Sequence, residues 1–352
     1  MNDSREPKIG FTCAYTPPAL IEAAGFVPFR ILPMGDPPDQ AGRFLHDNLC
    51  PHVKTVLDIA ISGKLPELGG VVFVNSCDAM RRLADGWQAV RPDDRCLHVD
   101  LPATVDDSAK RFFATELKHM VKHLGGWSHR SISEADLAAA VARYNTLCGL
   151  LVKLNRKMCE GRLKGASVRM QEMYNLASRQ SAADSIAILS RIDDEPEATD
   201  ATNDGIPVFL FGNVLPDPQA FELFESCGVR VVGDDFCTGA RMFSPIEGDL
   251  ADDAYFQIAA ALLARPPCAR TFSVEHPGKI ASDVIARAQA CGARGIIGHT
   301  LKFCDPYLAR VPVLREKLKE ASFPFLFLEG DCTLRSIGQQ RTRIEAFMEM
   351  LR

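Results

Sequence analysis

Short apolar runs that stop abruptly at small or polar residues are the strongest constraint in this sequence. Gly70–Val74 (GVVFV) stops at Asn75-Ser76-Cys77, and Pro207–Phe211 (PVFLF) stops at Gly212-Asn213. A strand without polar alternation is apolar on both sides, so both of its faces must be covered. That is the condition of a parallel sheet flanked by helices. Gly295–His299 is a third such run, and Phe26–Leu32, Cys96–Val99, Val229–Val232 and Phe323–Leu328 read as further strands. Ile9–Tyr15 is short and mixed, and it breaks at Thr16-Pro17-Pro18. Helical patterns lie between the runs, at Ala19–Ala24, Val53–Ser62, Ala79–Trp87, Pro218–Cys227, Ala254–Leu263, Asp283–Cys291 and Pro312–Glu320. Gln339–Leu351 closes the chain with Ile344, Phe347, Met348 and Leu351 on one face. This alternation predicts doubly wound α/β units with parallel sheets.

The middle of the chain breaks the alternation. Ser133 and Asp136 read as an N-cap and its partner one turn later. A long periodic pattern follows through Leu137, Val141, Tyr144, Leu147, Leu151 and Leu154, with more helix over Val168–Leu176 and Ala182–Leu189. Residues 193–204 are acidic and poor in apolar side chains, the character of an exposed connection. The expected organisation is an N-terminal α/β domain over residues 1–107, a helical subdomain over 108–192 and a second α/β domain over 205–352. No internal repeat shows in the sequence, although the two α/β halves could share a fold.

Charge and hydropathy narrow the partners. The net charge of −5, from 40 basic and 45 acidic residues, provides no basic field, so no nucleic acid is expected. No stretch approaches 18 uninterrupted apolar residues, so no membrane span is expected. Met1–Lys8 is polar with no apolar core behind it, so the expectation is a cytoplasmic protein without a signal peptide.

Disulfides rarely persist in that compartment, and twelve cysteines then need another account. Ligands of doubly wound sheets lie beyond the carboxyl ends of the strands. Cys77, Cys237 and Cys304 each follow a strand, Cys50 heads a helix whose positive end favours a thiolate, and Cys13 precedes the proline pair. The remaining seven, Cys96, Cys148, Cys159, Cys227, Cys268, Cys291 and Cys332, read as core or incidental thiols. There is no C-x-x-C pair and no ferredoxin-like run, so a metal or cluster would gather its ligands from distant loops. A Walker A loop, a G-x-G-x-x-G fingerprint and a G-x-S-x-G elbow are also absent from the sequence. His52 and His299 lie close to the cysteine loops. His299 is either a structural histidine or a group that donates a hydrogen bond or moves a proton at a strand end.

Several segments, in order along the chain, resemble one superfamily. They are Gly10–Pro17 (GFTCAYTP), Ala23–Ile31 (AAGFVPFRI), Asn48–Lys54 (NLCPHVK), Asn75–Leu83 (NSCDAMRRL), Gly233–Arg241 (GDDFCTGAR), Lys302–Pro306 (KFCDP), Leu328–Asp331 (LEGD) and Gly338–Glu349 (GQQRTRIEAFME). The chain resembles the 2-hydroxyacyl-CoA dehydratase / benzoyl-CoA reductase superfamily, also called the 2-hydroxyglutaryl-CoA dehydratase D-component family. The resemblance implies two flavodoxin-like α/β domains plus a helical part, with a 4Fe-4S cluster between them. It implies three cysteine ligands, which by motif are Cys50, Cys77 and Cys304, and a fourth iron position open to solvent or substrate.

The same resemblance implies an acyl-CoA substrate, a homologous second subunit or a homodimer, and a separate ATP-dependent iron–sulfur activator that injects one low-potential electron. The implied function is that of the iron–sulfur subunit of a lyase, dehydrating a 2-hydroxyacyl-CoA to an enoyl-CoA through a ketyl radical. The alternatives are a benzoyl-CoA reductase-type or other ATP-dependent low-potential reductase subunit, or a non-catalytic electron-transfer partner. No catalytic residue is assigned; Asp78, Arg81 and His299 are candidates for polar or proton-transfer roles near the ligands. Two departures stand out. Pro18 and Ala19 occupy the place where family members often carry an acidic residue, and Glu22 comes only later. No cysteine lies between Cys50 and Cys77, which argues against the six-cysteine double-cubane branch, while Cys13 and Cys237 remain candidates for extra ligands or supporting thiols.

Overall fold

In the computed structural model, which describes residues 7–34, 40–198, 205–271, 273, 275–332, 334 and 337–352, the GVVFV run is the centre of a parallel sheet. Strands β1 (Lys8–Phe11), β2 (Val27–Arg30), β3 (Leu68–Asn75) and β4 (Cys96–Asp100) pair in the order β2-β1-β3-β4, all parallel. The mixed segment after Ile9 thus holds β1. Successive side chains of β3 alternate between two cores. Val72 and Val74 pack with α1 (Pro18–Ala23), while Val71 and Phe73 pack with α2 (Pro51–Ile61) and α3 (Asp78–Val90).

Four helices follow: α4 (Asp107–Ser128), α5 (Glu134–Cys159), α6 (Ala166–Ala177) and α7 (Ala182–Asp193). A capping box starts α5: the Ser133 hydroxyl accepts from the Asp136 amide at 3.2 Å, and the Asp136 carboxylate accepts from the Ser133 amide at 2.9 Å. The 22-residue α4 lies ahead of the periodic pattern that the sequence shows, which begins only at Ser133. Its buried stripe of Phe113, Leu117, Met120, Val121 and Leu124 closes the same core face as α1. Among the described residues, α5 alone has the length and hydropathy of a membrane span, yet Leu137, Val141, Tyr144, Cys148 and Leu151 bury it in that core.

The second sheet repeats the first. Strands β5 (Ile206–Gly212), β6 (Val229–Asp235), β7 (Gly295–Leu301) and β8 (Phe325–Gly330) pair in the order β6-β5-β7-β8, again all parallel. Val208, Leu210 and Ile297 pack with α8 (Pro218–Ser226) and with Ile344, Phe347, Met348 and Leu351 of α13 (Ile337–Leu351). On the other face, Phe209, Phe211 and Ile296 pack with α10 (Lys279–Ala290) and α12 (Val311–Glu320). One helix crosses over: α9 (Ala254–Ala264) follows β6 in sequence but buries Ile258, Ala259, Leu262 and Leu263 in the first core, against α4. In both sheets the strand order reverses at the first strand, and that reversal opens a crevice at the carboxyl ends.

Candidate functional site

The two crevices share one cavity of about 110 Å³, where a water needs roughly 10–15 Å³, so a group of several heavy atoms fits. Loops after β1 (Cys13, Tyr15), β3 (Ser76, Cys77), β5 (Asn213, Val214), β6 (Cys237, Arg241) and β7 (Cys304) form its walls. The start of α2 adds Cys50 and His52, and the segment after α9 adds Arg265, Cys268 and Arg270. Six of the twelve cysteines therefore line one cavity: Cys13, Cys50, Cys77, Cys237, Cys268 and Cys304. Cys332, fully buried, lies within electrostatic reach of Cys50 and Cys237.

The three motif cysteines share one local device. Cys50 is the N-cap of α2, with Pro51 opening the helix, and Cys77 is the N-cap of α3. Cys304 is the N-cap of the short α11 (Asp305–Leu308), and the residue before it, Phe303, holds a left-handed backbone with φ of 59°. Burial raises all three thiols, Cys50 to about 11 and Cys77 to about 12, while the nearby amides of Val53, Met80 and Tyr307 pull the other way. Without a metal these thiols keep their protons at neutral pH.

Cationic groups brace the walls. Arg30 donates to the Cys237 carbonyl at 2.5 Å, and its Nη1 lies 3.0 Å from Met242 Sδ. Arg241 donates to the Asp235 carboxylate at 3.0 and 2.9 Å and to Tyr307 Oη at 3.0 Å, and Tyr307 in turn donates to the Gly212 carbonyl at 2.6 Å. Arg265 donates to the Ala14 carbonyl at 3.0 Å and to Tyr144 Oη at 3.1 Å. Arg241 Nη1 and Arg265 Nε are buried without a hydrogen-bond partner. Among the described residues the lining contains no carboxylate, so the cavity favours an anionic occupant.

Comparison with known proteins identifies the chain. The family described as "2-hydroxyglutaryl-CoA dehydratase, D-component" matches residues 13–351. The chain belongs to that family. The beta subunit of (R)-phenyllactyl-CoA dehydratase from Clostridium sporogenes is 22% identical over 100% of this chain and 93% of its own. Lactoyl-CoA dehydratase subunit beta from Anaerotignum propionicum is 23% identical over 97% of this chain and 91% of its own. A benzoyl-CoA reductase subunit from Thauera aromatica is 21% identical over 96% of this chain and 90% of its own.

Against this D-component family background, the sequence candidates divide. Cys13, Cys50, Cys77, Cys237 and Cys304 all face the cavity, and Cys268, read as incidental, joins them. No spacing rule could have found Cys268, because it reaches the wall from the loop after the crossed-over α9. Asp78 and Arg81 do not line the cavity; they are exposed on α3, where Asp78 lies 3.7 Å from Arg82. His299 is fully buried inside β7, outside the cavity wall, with neither ring nitrogen partnered. Burial lowers it to about 4 and lowers His52 to about 3, so both rings are neutral. Glu22, the late-coming carboxylate, accepts from the Ala182 amide at 2.5 Å and serves the helical layer.

The donor set fits an iron–sulfur cluster. Thiolates are the soft ligands such clusters use. Among the described residues no three His, Cys, Asp or Glu side chains converge closely enough to hold a single metal ion. Six cysteines line the one cavity, so thiol donors for such a cluster are present.

Proposed function

We propose that this chain is the iron–sulfur subunit of a 2-hydroxyacyl-CoA dehydratase-like lyase, with Cys50, Cys77 and Cys304 holding a 4Fe-4S cluster in the inter-sheet cavity. One observation carries the reading: three cysteines separated by 27 and 227 residues (77 − 50 and 304 − 77) line one cavity whose described lining has no carboxylate and four arginines. When bound, such a cluster supplies single electrons at low potential. The chain does the rest. Its thiols give up their protons to bind metal, Arg30, Arg241, Arg265 and Arg270 offset the negative charge, and the apolar packing behind them excludes water. The proposed partners are an acyl-CoA, an ATP-dependent iron–sulfur activator and a homologous second subunit, the last supported by relatives named as beta subunits. We place the protein in the cytoplasm, with α/β domains over residues 1–107 and 205–352 and a helical subdomain over 108–192.

The test is iron and acid-labile sulfide content after anaerobic purification and reconstitution. About four irons per chain are expected. Cys50→Ala, Cys77→Ala and Cys304→Ala should each remove most of the iron, and Cys148→Ala, in the core of α5, should not. No iron or sulfide after reconstitution overturns the reading. The electron-transfer reading is favoured by a different observation: Asp78, Arg81 and His299 all lie outside the wall, leaving among the described residues no lining carboxylate or accessible strand-end histidine to move a proton. Calorimetric titration with an acyl-CoA separates the two, since only the dehydratase subunit binds it in this cavity.

A further inference from the structure

A second pair of thiols lies outside that cavity. Cys159 is the last residue of α5 and Cys291 is the C-cap of α10, and both come to the same step of β6, Val232–Gly233. Against β5, Val208 pairs with Val231 and Phe209 with Gly233, so Val232 is a bulge in an edge strand. The Val232 carbonyl accepts the Cys159 thiol at 2.5 Å. Gly233 leaves the space that the other thiol occupies, since a Cβ there would stand 3.2 Å from Cys291 Sγ. Both sulfurs thus stand against the same step of β6, and both residues are half-buried rather than sealed in a core. Arg287, one turn earlier on α10, keeps its guanidinium close by, donating to the Asp234 carbonyl at 2.7 Å and pairing with Asp235 at 2.7 Å.

We propose that Cys159 and Cys291 form a peroxide-reactive thiol pair that closes to a disulfide and ties α5 to α10. The neighbouring Cys159 thiol, and then the Arg287 charge, lower the Cys291 thiol, while Cys159 itself is raised, so Cys291 is the first thiolate. Its sulfur attacks hydrogen peroxide: an S–O bond forms, the O–O bond breaks, and the departing hydroxide takes a proton to become water. The Cys159 sulfur then attacks the Cys291 sulfenic acid, forming the S–S bond and releasing the second oxygen as water once Cys159 has lost its proton. Two thiols and one peroxide give one disulfide and two waters, with both sulfurs oxidised and both oxygens reduced. The link would lock the helical layer onto the second sheet, whatever the cavity carries.

The experiment treats the full-length protein, as purified, with one equivalent of hydrogen peroxide, traps free thiols with N-ethylmaleimide and maps peptides by mass spectrometry without reduction. The expected result is one dominant linked peptide carrying Cys159 and Cys291, reversed by dithiothreitol, while the half-buried but isolated Cys96 stays reduced. In Cys159→Ser, Cys291 should be recovered as a dimedone adduct; in Cys291→Ser, Cys159 should remain a thiol. Absence of the linked peptide, or oxidation of Cys96 at the same rate as Cys291, overturns the proposal. The mapping of the unsubstituted protein decides the matter even where a variant fails to fold.

Discussion

The two sheets have the same strand order and opposite charges at the same place. In the first sheet β2 ends on Arg30, which is 1% exposed; in the second, β6 occupies the equivalent position and ends on Asp235, which is 2% exposed. Asp235 is neutralised within its own half by Arg241 and Arg287 at 2.9 and 2.7 Å. Among the described residues Arg30 meets no carboxylate, and instead reaches across to the Cys237 carbonyl of the second half. The first half contributes Cys13, Cys50 and Cys77 to the cavity and the second contributes Cys237, Cys268 and Cys304, so the thiols are shared equally while the buried ion network is not. Topology decides where a doubly wound sheet can hold a ligand, and the residues at the strand ends decide which ligand.

The sharpest way to break this comparison is to remove each strand-end charge. Burial pushes the Asp235 carboxyl up, but Arg241 and Arg287 together push it further down, so it stays ionised. Asp235→Ala would strand two guanidinium groups in the interior, and losing one partner of a buried pair costs about 3–5 kcal/mol. Arg30→Met removes hydrogen bonds from a charged donor without orphaning an opposite charge, an effect of about 1.5–3 kcal/mol. Urea unfolding of both variants gives the ranking. A larger loss for Arg30→Met would mean that the cross-half contacts, not the ion network, dominate this interface.

Acid sharpens the comparison next, because each half buries one neutral histidine near the cavity. His52 and His299 have folded values of about 3 and about 4, against roughly 6.5 in the unfolded chain. Between these values the unfolded chain binds a proton that the native one refuses, so stability falls as pH drops below about 6.5. The loss levels off near 4 for His299 and near 3 for His52. Each histidine should cost on the order of 2 kcal/mol between pH 7 and pH 5. His299→Leu should remove the second half's share, read as a smaller shift of the urea midpoint between the two pH values. An unchanged shift would mean that His299 does not control acid stability. His52 lines the cavity, so its share should also shrink when the cavity is filled, whereas that of His299 should not.

Seven of the eight strands, β1 excepted, and five of the six lining cysteines were legible in the sequence because they depend on local pattern: an apolar run with Cys77, Cys237 or Cys304 just past its end, a helix start at Cys50, a proline break after Cys13. The common strand order was not, since parallel pairing joins residues far apart and leaves no local trace. The same limit hid Cys268, which the crossed-over α9 carries to the wall, and the Arg30 contact between halves. His299 was misplaced for a simpler reason. The GIIGH run continues through Thr300 and Leu301, so His299 sits inside β7, and its ring is buried in the interior. Asp78 and Arg81 follow Cys77 closely, but helical rotation carries them to the solvent face of α3.

The smallest expected difference lies at two glycines in equivalent places. Gly70 of β3 pairs with Ile9 of β1, and Gly295 of β7 pairs with Val208 of β5. Each lets a helix close over the start of its strand. A Cβ on Gly70 would run into the Trp127 ring of α4 and stand 3.0 Å from the Arg95 carbonyl oxygen, which already accepts the Val71 amide at 2.8 Å. At Gly295 it would meet Leu351 Cδ1 at 2.7 Å and Phe347 Cζ at 3.0 Å, both side-chain ends on α13. A backbone carbonyl bound into a sheet cannot retreat, whereas the far ends of flexible side chains can. Gly70→Ala should therefore cost about 1–3 kcal/mol, as overpacking generally does, and Gly295→Ala less than about 1 kcal/mol. Equal losses in thermal or urea unfolding would show that α13 is held as firmly over the second sheet as α4 is over the first.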